Sequence, residues 1–313
     1  MRILVTGVTG QVGGALCEVL PSAGVILAAD RNELDLSRPE RLPAALDRMA
    51  PDIIVNPAAY TAVDRAEDEW ELAHLINAAA PGAIANWAAA HRVPFIHFST
   101  DYVFDGAGAQ PWREDDRTGP LSAYGASKLA GEHAVRAARG PHLIIRTSWV
   151  YAANGVNFLR TIARLARERK ELRIVADQFG APTSARTIAD AVAGIIGKDD
   201  PPLAERFAAA GGLVNVAASG ETSWHGFAVA IVNGLRVRQV ALAVENVVPI
   251  QTEDYPTKAK RPANSRLDLA RLKRVFGIET ERWDMALDLE LDRLAIDPAG
   301  PTSPRLSAPD TRR

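Results

Sequence analysis

Arg2-Ile3-Leu4-Val5-Thr6-Gly7-Val8-Thr9-Gly10-Gln11-Val12-Gly13-Gly14 decides the fold. An apolar run of strand composition breaks into glycines spaced by three, and Ala15-Leu16-Cys17-Glu18-Val19-Leu20 follows with helical character. Strand, tight turn and helix in that order make a dinucleotide-binding unit. Glycine permits unusual backbone angles, lets the main chain approach a pyrophosphate, and lets helix pack closely on strand. The helix N-terminus then presents free N–H groups and a positive dipole end to the phosphates. The spacing is G-x-x-G-x-x-G through Gly7, Gly10 and Gly13 rather than G-x-G-x-x-G. A glycine-rich turn without a ligand is the alternative, and the flanking strand and helix argue against it. A second apolar run, residues 24–29, ends at Asp30, close to where an acidic residue meets the adenosine ribose hydroxyls. Asp30 favours NADH, while Arg31 directly after it suits a 2′-phosphate. The expected cofactor is NADPH or NADH.

Further strand-like runs at residues 52–56, 94–99 and 142–147 alternate with helical stretches at 39–49, 64–91 and 123–139, the second with a break expected at Pro81-Gly82. Such alternation predicts an α/β fold, a Rossmann-type doubly wound parallel sheet covered on both faces. The second half reads as a helix over 155–171, a strand over 172–176, a helix over 185–197, a strand over 213–217 and a helix from about Trp224. The expected division is a dinucleotide-binding domain over 1–150 with returning segments at about 172–200. A smaller α/β substrate lobe takes mainly 151–171 and 201–296. Residues 297–313, rich in Pro, Ser and Arg without apolar periodicity, are expected to form a mobile end.

Doubly wound sheets bind ligands beyond the carboxyl ends of their strands, and the chemically suggestive motifs fall there. Asn56-Pro57-Ala58-Ala59-Tyr60-Thr61 follows the third strand and Ser99-Thr100-Asp101-Tyr102-Val103-Phe104 the fourth. Tyr124-Gly125-Ala126-Ser127-Lys128 places a phenol and an ammonium four residues apart, on one face of a helix. A Tyr has an ordinary pKa of about 10, and a fixed cation nearby is expected to lower it towards the range of acid and base work. Alone the pair carries little weight, because many surface helices match it.

Composition sets outer bounds. The 313 residues suit one large or two modest domains, and an apolar fraction of 47% reads as globular. A net charge of -2 offers no electrostatic reason to expect nucleic acid or an anionic membrane surface as partner. Cys17 is the single cysteine, so no intrachain disulfide forms. The first strand starts at residue 2 and no run of about 18 apolar residues occurs, so a cytoplasmic location is expected.

Taken with the glycine pattern, the N-P-A-A-Y loop, S-T-D-Y-V-F and Y-G-A-S-K, the chain resembles the extended short-chain dehydrogenase/reductase family. The similarity is closest to its members that act on dTDP-4-keto sugars, through Val63-Asp64-Arg65-Ala66-Glu67, Arg146-Thr147-Ser148-Trp149-Val150-Tyr151, Asp177-Gln178-Phe179-Gly180-Ala181-Pro182-Thr183, Thr222-Ser223-Trp224-His225 and Arg261-Pro262-Ala263-Asn264-Ser265-Arg266. The resemblance implies NAD(P)H-dependent reduction of the C4 ketone of dTDP-4-dehydro-β-L-rhamnose, or of another dTDP-4-keto-6-deoxyhexose. A different class with the same fold is a regulatory subunit like that of methionine adenosyltransferase, which binds NADP without turnover.

Carried over by resemblance, Tyr124 is the proton donor, Lys128 holds the nicotinamide ribose and tunes the tyrosine, and the Thr100 hydroxyl polarises the carbonyl. The chemistry agrees, since hydride arriving at a ketone leaves alkoxide charge that a phenol neutralises and a placed hydroxyl stabilises. Cofactor contacts are expected from Gly7, Gly10, Gln11, Val12, Gly13, Asp30, Arg31, Asp35, Leu36, Ala59, Tyr60 and Thr61 as well as Tyr124 and Lys128. Substrate contacts are expected from Thr100, Asp101, Trp149, Thr183, Arg261 and Asn264, with Arg261 offering a planar donor fork to phosphate. His97 is read as structural and His225 carries no catalytic expectation. Tyr60 stands where close family members often have histidine, and Pro57 where alanine is usual. Some members bind magnesium at a dimer contact through glutamates, one just after the glycine motif. Gly14-Ala15 occupies that stretch, so no metal bridge of that kind is expected, and the chain is expected as a monomer or weak homodimer.

Overall fold

Five strands from the first half of the chain, β1 (Arg2–Thr6), β2 (Val25–Ala29), β3 (Ile53–Asn56), β4 (Phe95–Thr100) and β5 (His142–Thr147), are joined by a sixth, Leu213–Asn215. In this computed structural model, which describes residues 1–197 and 200–296, they form one parallel sheet. The expected mobile end at 297–313 lies outside the described residues. Strand order is Leu213–Asn215, β5, β4, β3, β1, β2. The winding direction reverses between β1 and β3, and a ligand crevice opens at such a switch point. Side chains alternate across the sheet. Ile3 and Val5 pack with Leu16, Ile188 and Val192 on one face, while Leu4 packs with Leu42, Leu46, Ile84 and Trp87 on the other.

Helices α1 (Gln11–Val19) and α2 (Leu42–Met49) follow β1 and β2. The expected break at Pro81-Gly82 does not occur. Helix α3 (Trp70–His74) passes through a π-helical turn, Leu75–Ala79, into α4 (Ala80–His91). Pro81 sits in the first turn after the wide one, where a missing N–H costs little. Helix α5 (Ala123–Ala137) starts at Ser122, whose hydroxyl accepts the Gly125 N–H at 3.2 Å.

In the second half, α6 (Phe158–Glu168) is shorter than expected because Asn157 caps it, its side-chain oxygen accepting the Arg160 N–H at 3.1 Å. Helix α7 (Ala185–Ile196) returns to the sheet and packs on α1. Strand Glu171–Val175 does not return. It pairs in parallel with Asn246–Ile250 in the second lobe. Glu171 and Arg173 are exposed on it, and a half-polar strand does not suit a sheet covered on both faces. The lobe's own core gathers Tyr151, Leu159, Ile162, Phe227, Ile231, Trp283 and Leu287.

Glu132 of α5 and Arg146 of β5 form a buried bidentate pair, with Nε–Oε1 at 2.8 Å and Nη2–Oε2 at 2.7 Å. Arg146 also donates to the Glu114 carbonyl and lies over the Phe104 ring. Removing one partner strands the other charge, so Glu132→Ala should cost about 3–5 kcal/mol, whereas exchanging both for apolar residues should cost far less. Guanidinium unfolding of the single and double variants checks this; equal losses in both would show that the pair's ionic character is irrelevant.

Candidate active site

The carboxyl end of β4 and the turn after it meet α5, and the close approach is set by glycine. A Cβ on Gly125 would lie 2.2 Å from the Tyr102 carbonyl oxygen, and one on Gly131 would lie 2.0 Å from that of Asn77. Tyr124, Lys128 and Glu132 succeed one another at four-residue intervals on the helix, so they share a face. Thr100 ends β4 beside them, and its hydroxyl faces the Tyr124 phenol.

Lys128 is 2% exposed, and its Nζ donates to the Phe98 carbonyl at 2.6 Å. Burial lowers it to about 8, with Glu132 opposing. The Tyr124 phenol moves opposite to the sequence expectation. Burial first, then the charge of Asp101, raises it above its ordinary value, and the Thr100 hydroxyl pulls the other way. The correction has a structural cause: the ammonium is turned to the β4 backbone, so desolvation governs the phenol. A protonated phenol is the state a proton donor needs.

Asn77, which drew no expectation, and Asn56 of the N-P-A-A-Y loop hold the surroundings in place. Asn77 accepts the Tyr60 N–H at 2.8 Å and donates to the Tyr60 carbonyl and to Ser127 Oγ, each at 3.0 Å; Ser127 donates to the Tyr124 carbonyl at 2.7 Å. One amide thus ties the loop after β3 to α5. Its signal in the sequence was a polar residue in an apolar helix, four places before a proline. Thr6 donates to Asn56 Oδ1 at 2.6 Å, and Asn56 Nδ2 meets His97 Nδ1 at 3.2 Å. His97 is fully buried and held neutral, its pKa lowered by burial and then by Lys128.

The glycine turn fits a dinucleotide. Gly7 takes φ +58°, a Cβ there would meet Ala58 at 2.9 Å, and a Cβ on Gly13 would lie 2.2 Å from the Gly7 carbonyl oxygen. Gly10 precedes α1 without a side-chain cap, so the amides of its first turn, through Gln11 and Val12, remain for phosphate. Asp30 closes β2 in an Asx turn, accepting the Asn32 N–H at 2.7 Å. Arg31 is 78% exposed and 3.5 Å from Asp35, itself held below the ordinary carboxylate range chiefly by the Ser37 hydroxyl. Leu36 is buried in the core. Ala59 is half-buried and Thr61 exposed at the crevice, and the Tyr60 hydroxyl donates to Glu69 at 2.6 Å.

Beyond the cluster lies a cleft of about 660 Å³, lined by Tyr102, Phe158, Gln178, Trp224, Tyr255, Arg261 and others. Tyr102 links the two, its ring edge-on to Tyr124 at 5.5 Å. A family described as RmlD substrate binding domain matches residues 1–296. The dTDP-4-dehydrorhamnose reductase of Burkholderia thailandensis is 50% identical over 295 residues, covering 92% of this chain and 97% of that protein, and the Escherichia coli K12 enzyme is 43% identical over 94% and 98%. The chain belongs to the dTDP-4-dehydrorhamnose reductase family. Among solved structures, the family member from Clostridium acetobutylicum superposes with a TM-score of 0.85 at 34% identity, over 94% of this chain and 99% of that one. The Bacillus anthracis member, solved in complex with NADP, gives 0.83 at 32%, over 93% and 99%.

Within this reductase fold the expected substrate residues are dispersed. Arg261 reaches the cleft while paired with Asp64 at 2.6 Å. Asp101 is buried against Thr100 at 3.0 Å. Trp149 takes φ +49° and stacks on the cleft residue Trp224 at 3.6 Å, with Gly180 leaving room for its ring. Thr183 donates to the Ala181 carbonyl and accepts the Ala218 N–H, and Asn264 is engaged by the Gln110 carbonyl and by Arg266. Both are buried, with these polar groups turned into the protein. In the pocket beside Ala15, Glu290 accepts the Ala153 N–H and pairs with Arg293 at 3.1 Å, and Glu18, Arg160 and Arg186 also line it.

Because Lys128 is charged below about 8 at a desolvation cost, Lys128→Met should raise Tm while abolishing turnover. The sign is fixed by linkage. The gain is largest below pH about 8 and shrinks as pH climbs towards the unfolded value of about 10.4. Thermal unfolding from pH 6 to pH 10, approximately, reads it; a lower Tm at every pH would show that the Phe98 bond outweighs desolvation.

Proposed function

We propose that this protein reduces the C4 ketone of dTDP-4-dehydro-β-L-rhamnose to dTDP-β-L-rhamnose, with NADPH or NADH as reductant, acting in the cytoplasm as a monomer or weak homodimer. The observation that carries the reading is the convergence of Thr100, Tyr124 and Lys128 at one end of a nucleotide-sized cleft, in a chain half identical to a named reductase. Among the described residues no helix is long and apolar enough to cross a membrane.

Reduced nicotinamide, when bound, supplies the hydride. The glycine turn and the first turn of α1 hold its pyrophosphate, and Asp30 meets the adenosine ribose. Lys128 uses a second N–H on the nicotinamide ribose, since Phe98 occupies one of its three donors. Tyr124 gives its proton to the C4 oxygen as alkoxide charge develops, and Thr100 stabilises that oxygen by donating a hydrogen bond. The nucleotide lies in the cleft, where Phe158, Trp224 and Tyr255 offer aromatic surface and Arg261 a cation for the diphosphate.

Loss of reduced-nicotinamide absorbance with dTDP-4-dehydrorhamnose, and dTDP-rhamnose as product, tests the reading directly; cofactor binding without turnover would overturn it. Tyr124→Phe should bind cofactor normally and lose roughly 10²–10⁴-fold in kcat, the scale of general-acid catalysis. Near-normal kcat would remove Tyr124 as proton donor. Asp30→Ala should shift the ratio of kcat/KM values towards NADPH, and an unchanged ratio would mean that Asp30 does not meet the ribose.

A further inference from the structure

Asp101 is the buried carboxyl of this site that the mechanism leaves unused. Its Oδ1 accepts from Thr100 Oγ1 at 3.0 Å, and Thr100 Oγ1 itself accepts the Tyr102 N–H at 3.2 Å. Thr100 is 6% exposed and Asp101 is 1% exposed, so water does not compete. Asp101 Oδ2 has no hydrogen-bond partner. The Ser265 hydroxyl lies near enough to favour the carboxylate but outside hydrogen-bonding geometry, its own oxygen also unpartnered.

A hydroxyl has one proton to give and two lone pairs to receive. One lone pair of Thr100 is taken by Tyr102, so the remaining two directions face Asp101 and the Tyr124 side of the site. An ionised Asp101 is an acceptor only. It claims the Thr100 proton, and the free lone pair of Thr100 then receives the Tyr124 O–H. In that state the donors run from Tyr124 through Thr100 to Asp101, away from the ketone. A protonated Asp101 donates to Thr100 instead, which turns the Thr100 proton outward to the carbonyl oxygen and releases the Tyr124 proton for transfer.

We propose that Asp101 is a positioning residue whose protonation state sets the direction of the Thr100–Tyr124 hydrogen-bond chain, and with it the capacity of the site to polarise and protonate the substrate carbonyl. Asp101 keeps its proton through turnover, and the proton delivered to substrate still comes from Tyr124. The inference rests on the reductase reading of Thr100 and Tyr124.

The titratable and charged groups around this carboxyl are Tyr102 on its own turn, Tyr124 from α5, and Arg261 and Asp64, which reach Tyr102 from the segment after strand Asn246–Ile250 and from the loop after β3. Lys128 points to the Phe98 carbonyl. Burial lifts Asp101 to about 6, with Ser265 and then Thr100 opposing, so its titration falls within the working range.

The test is the pH profile of kcat/KM for the wild type, Asp101→Asn, Asp101→Ala, Thr100→Ala and the Thr100→Ala/Asp101→Asn double variant, with cofactor binding as a check of folding. The wild type should fall about tenfold per pH unit above about 6, with a separate limb where Lys128 titrates. An amide donates to Thr100 at every pH, so Asp101→Asn should lose the first limb and exceed the wild type by tenfold or more near pH ~8, while Asp101→Ala should be slow throughout. In the Thr100→Ala background the Asn substitution should change nothing. Retention of the first limb in Asp101→Asn, or equal slowness of the Asn and Ala variants with normal cofactor binding, would overturn the proposal. Wild-type turnover and profile in Thr100→Ala would instead sink the reading of Thr100. Should the Asn variant fail to fold, Ser265→Ala serves, because removing a hydroxyl that favours the carboxylate should move the limb to higher pH; an unmoved limb counts against Asp101.

Discussion

The approach of α5 to two backbone carbonyls, closer than any Cβ allows, is the constraint on which the site depends. Gly125 meets the carbonyl of Tyr102 and Gly131 that of Asn77. The second contact exploits a local irregularity: Pro81 lacks an N–H, so the Asn77 carbonyl four residues earlier receives no standard helical bond, and the π-helical turn leaves it facing α5. Glu132 then completes the docking through Arg146 on β5. With the helix held at two glycine contacts and one buried ion pair, Tyr124 and Lys128 have little freedom in where their polar atoms fall.

That confinement explains the electrostatics. Lys128 is driven down and Tyr124 up because both are desolvated, and the nearest bonding partner of the ammonium is a carbonyl rather than the phenol. The Lys128 shift costs folding energy at neutral pH, because a charged ammonium is desolvated, whereas the raised Tyr124 costs none there, since the phenol is neutral both folded and unfolded. Buried amides reduce that cost by organising the loops around the two groups. Asn56 joins β1 to β4 through Thr6 and His97, and Asn77 joins the loop after β3 to α5. The side-chain polar atoms of the two amides are matched, which helps to rigidify the loops they join.

The second lobe is built on different terms. Its core is aromatic, with Tyr151, Phe227 and Trp283 at the centre, and its exposed side offers Trp224, Phe158 and Tyr255 to the cleft. The strained backbone of Trp149 brings its ring flat against Trp224, so the wall of the cleft is a stacked pair rather than a single side chain. Asp64, from the loop after β3, pairs with Arg261 in the lining of the cleft. The cleft is therefore lined by residues from both halves of the chain.

The glycine turn and five strands of the parallel sheet were legible in residues 2–14 and in the apolar runs that follow, because such runs and glycine spacing are local properties of the chain, whereas Leu213–Asn215, expected in the substrate lobe, joined that sheet beside β5. The face shared by Tyr124 and Lys128 was equally legible from helical geometry. What stayed hidden were non-local facts. The direction of the Tyr124 shift required knowing how deeply the helix is buried, and the continuity through Pro81 required the π-helical turn. Strand Glu171–Val175 found its partner seventy-five residues later, in another sheet, and Thr183 and Asn264 turned inward to backbone atoms distant in sequence. A side chain's type and spacing follow from the sequence alone, but its solvation and its hydrogen-bond partners are set by whatever the tertiary fold brings beside it, and those decide what its chemistry is.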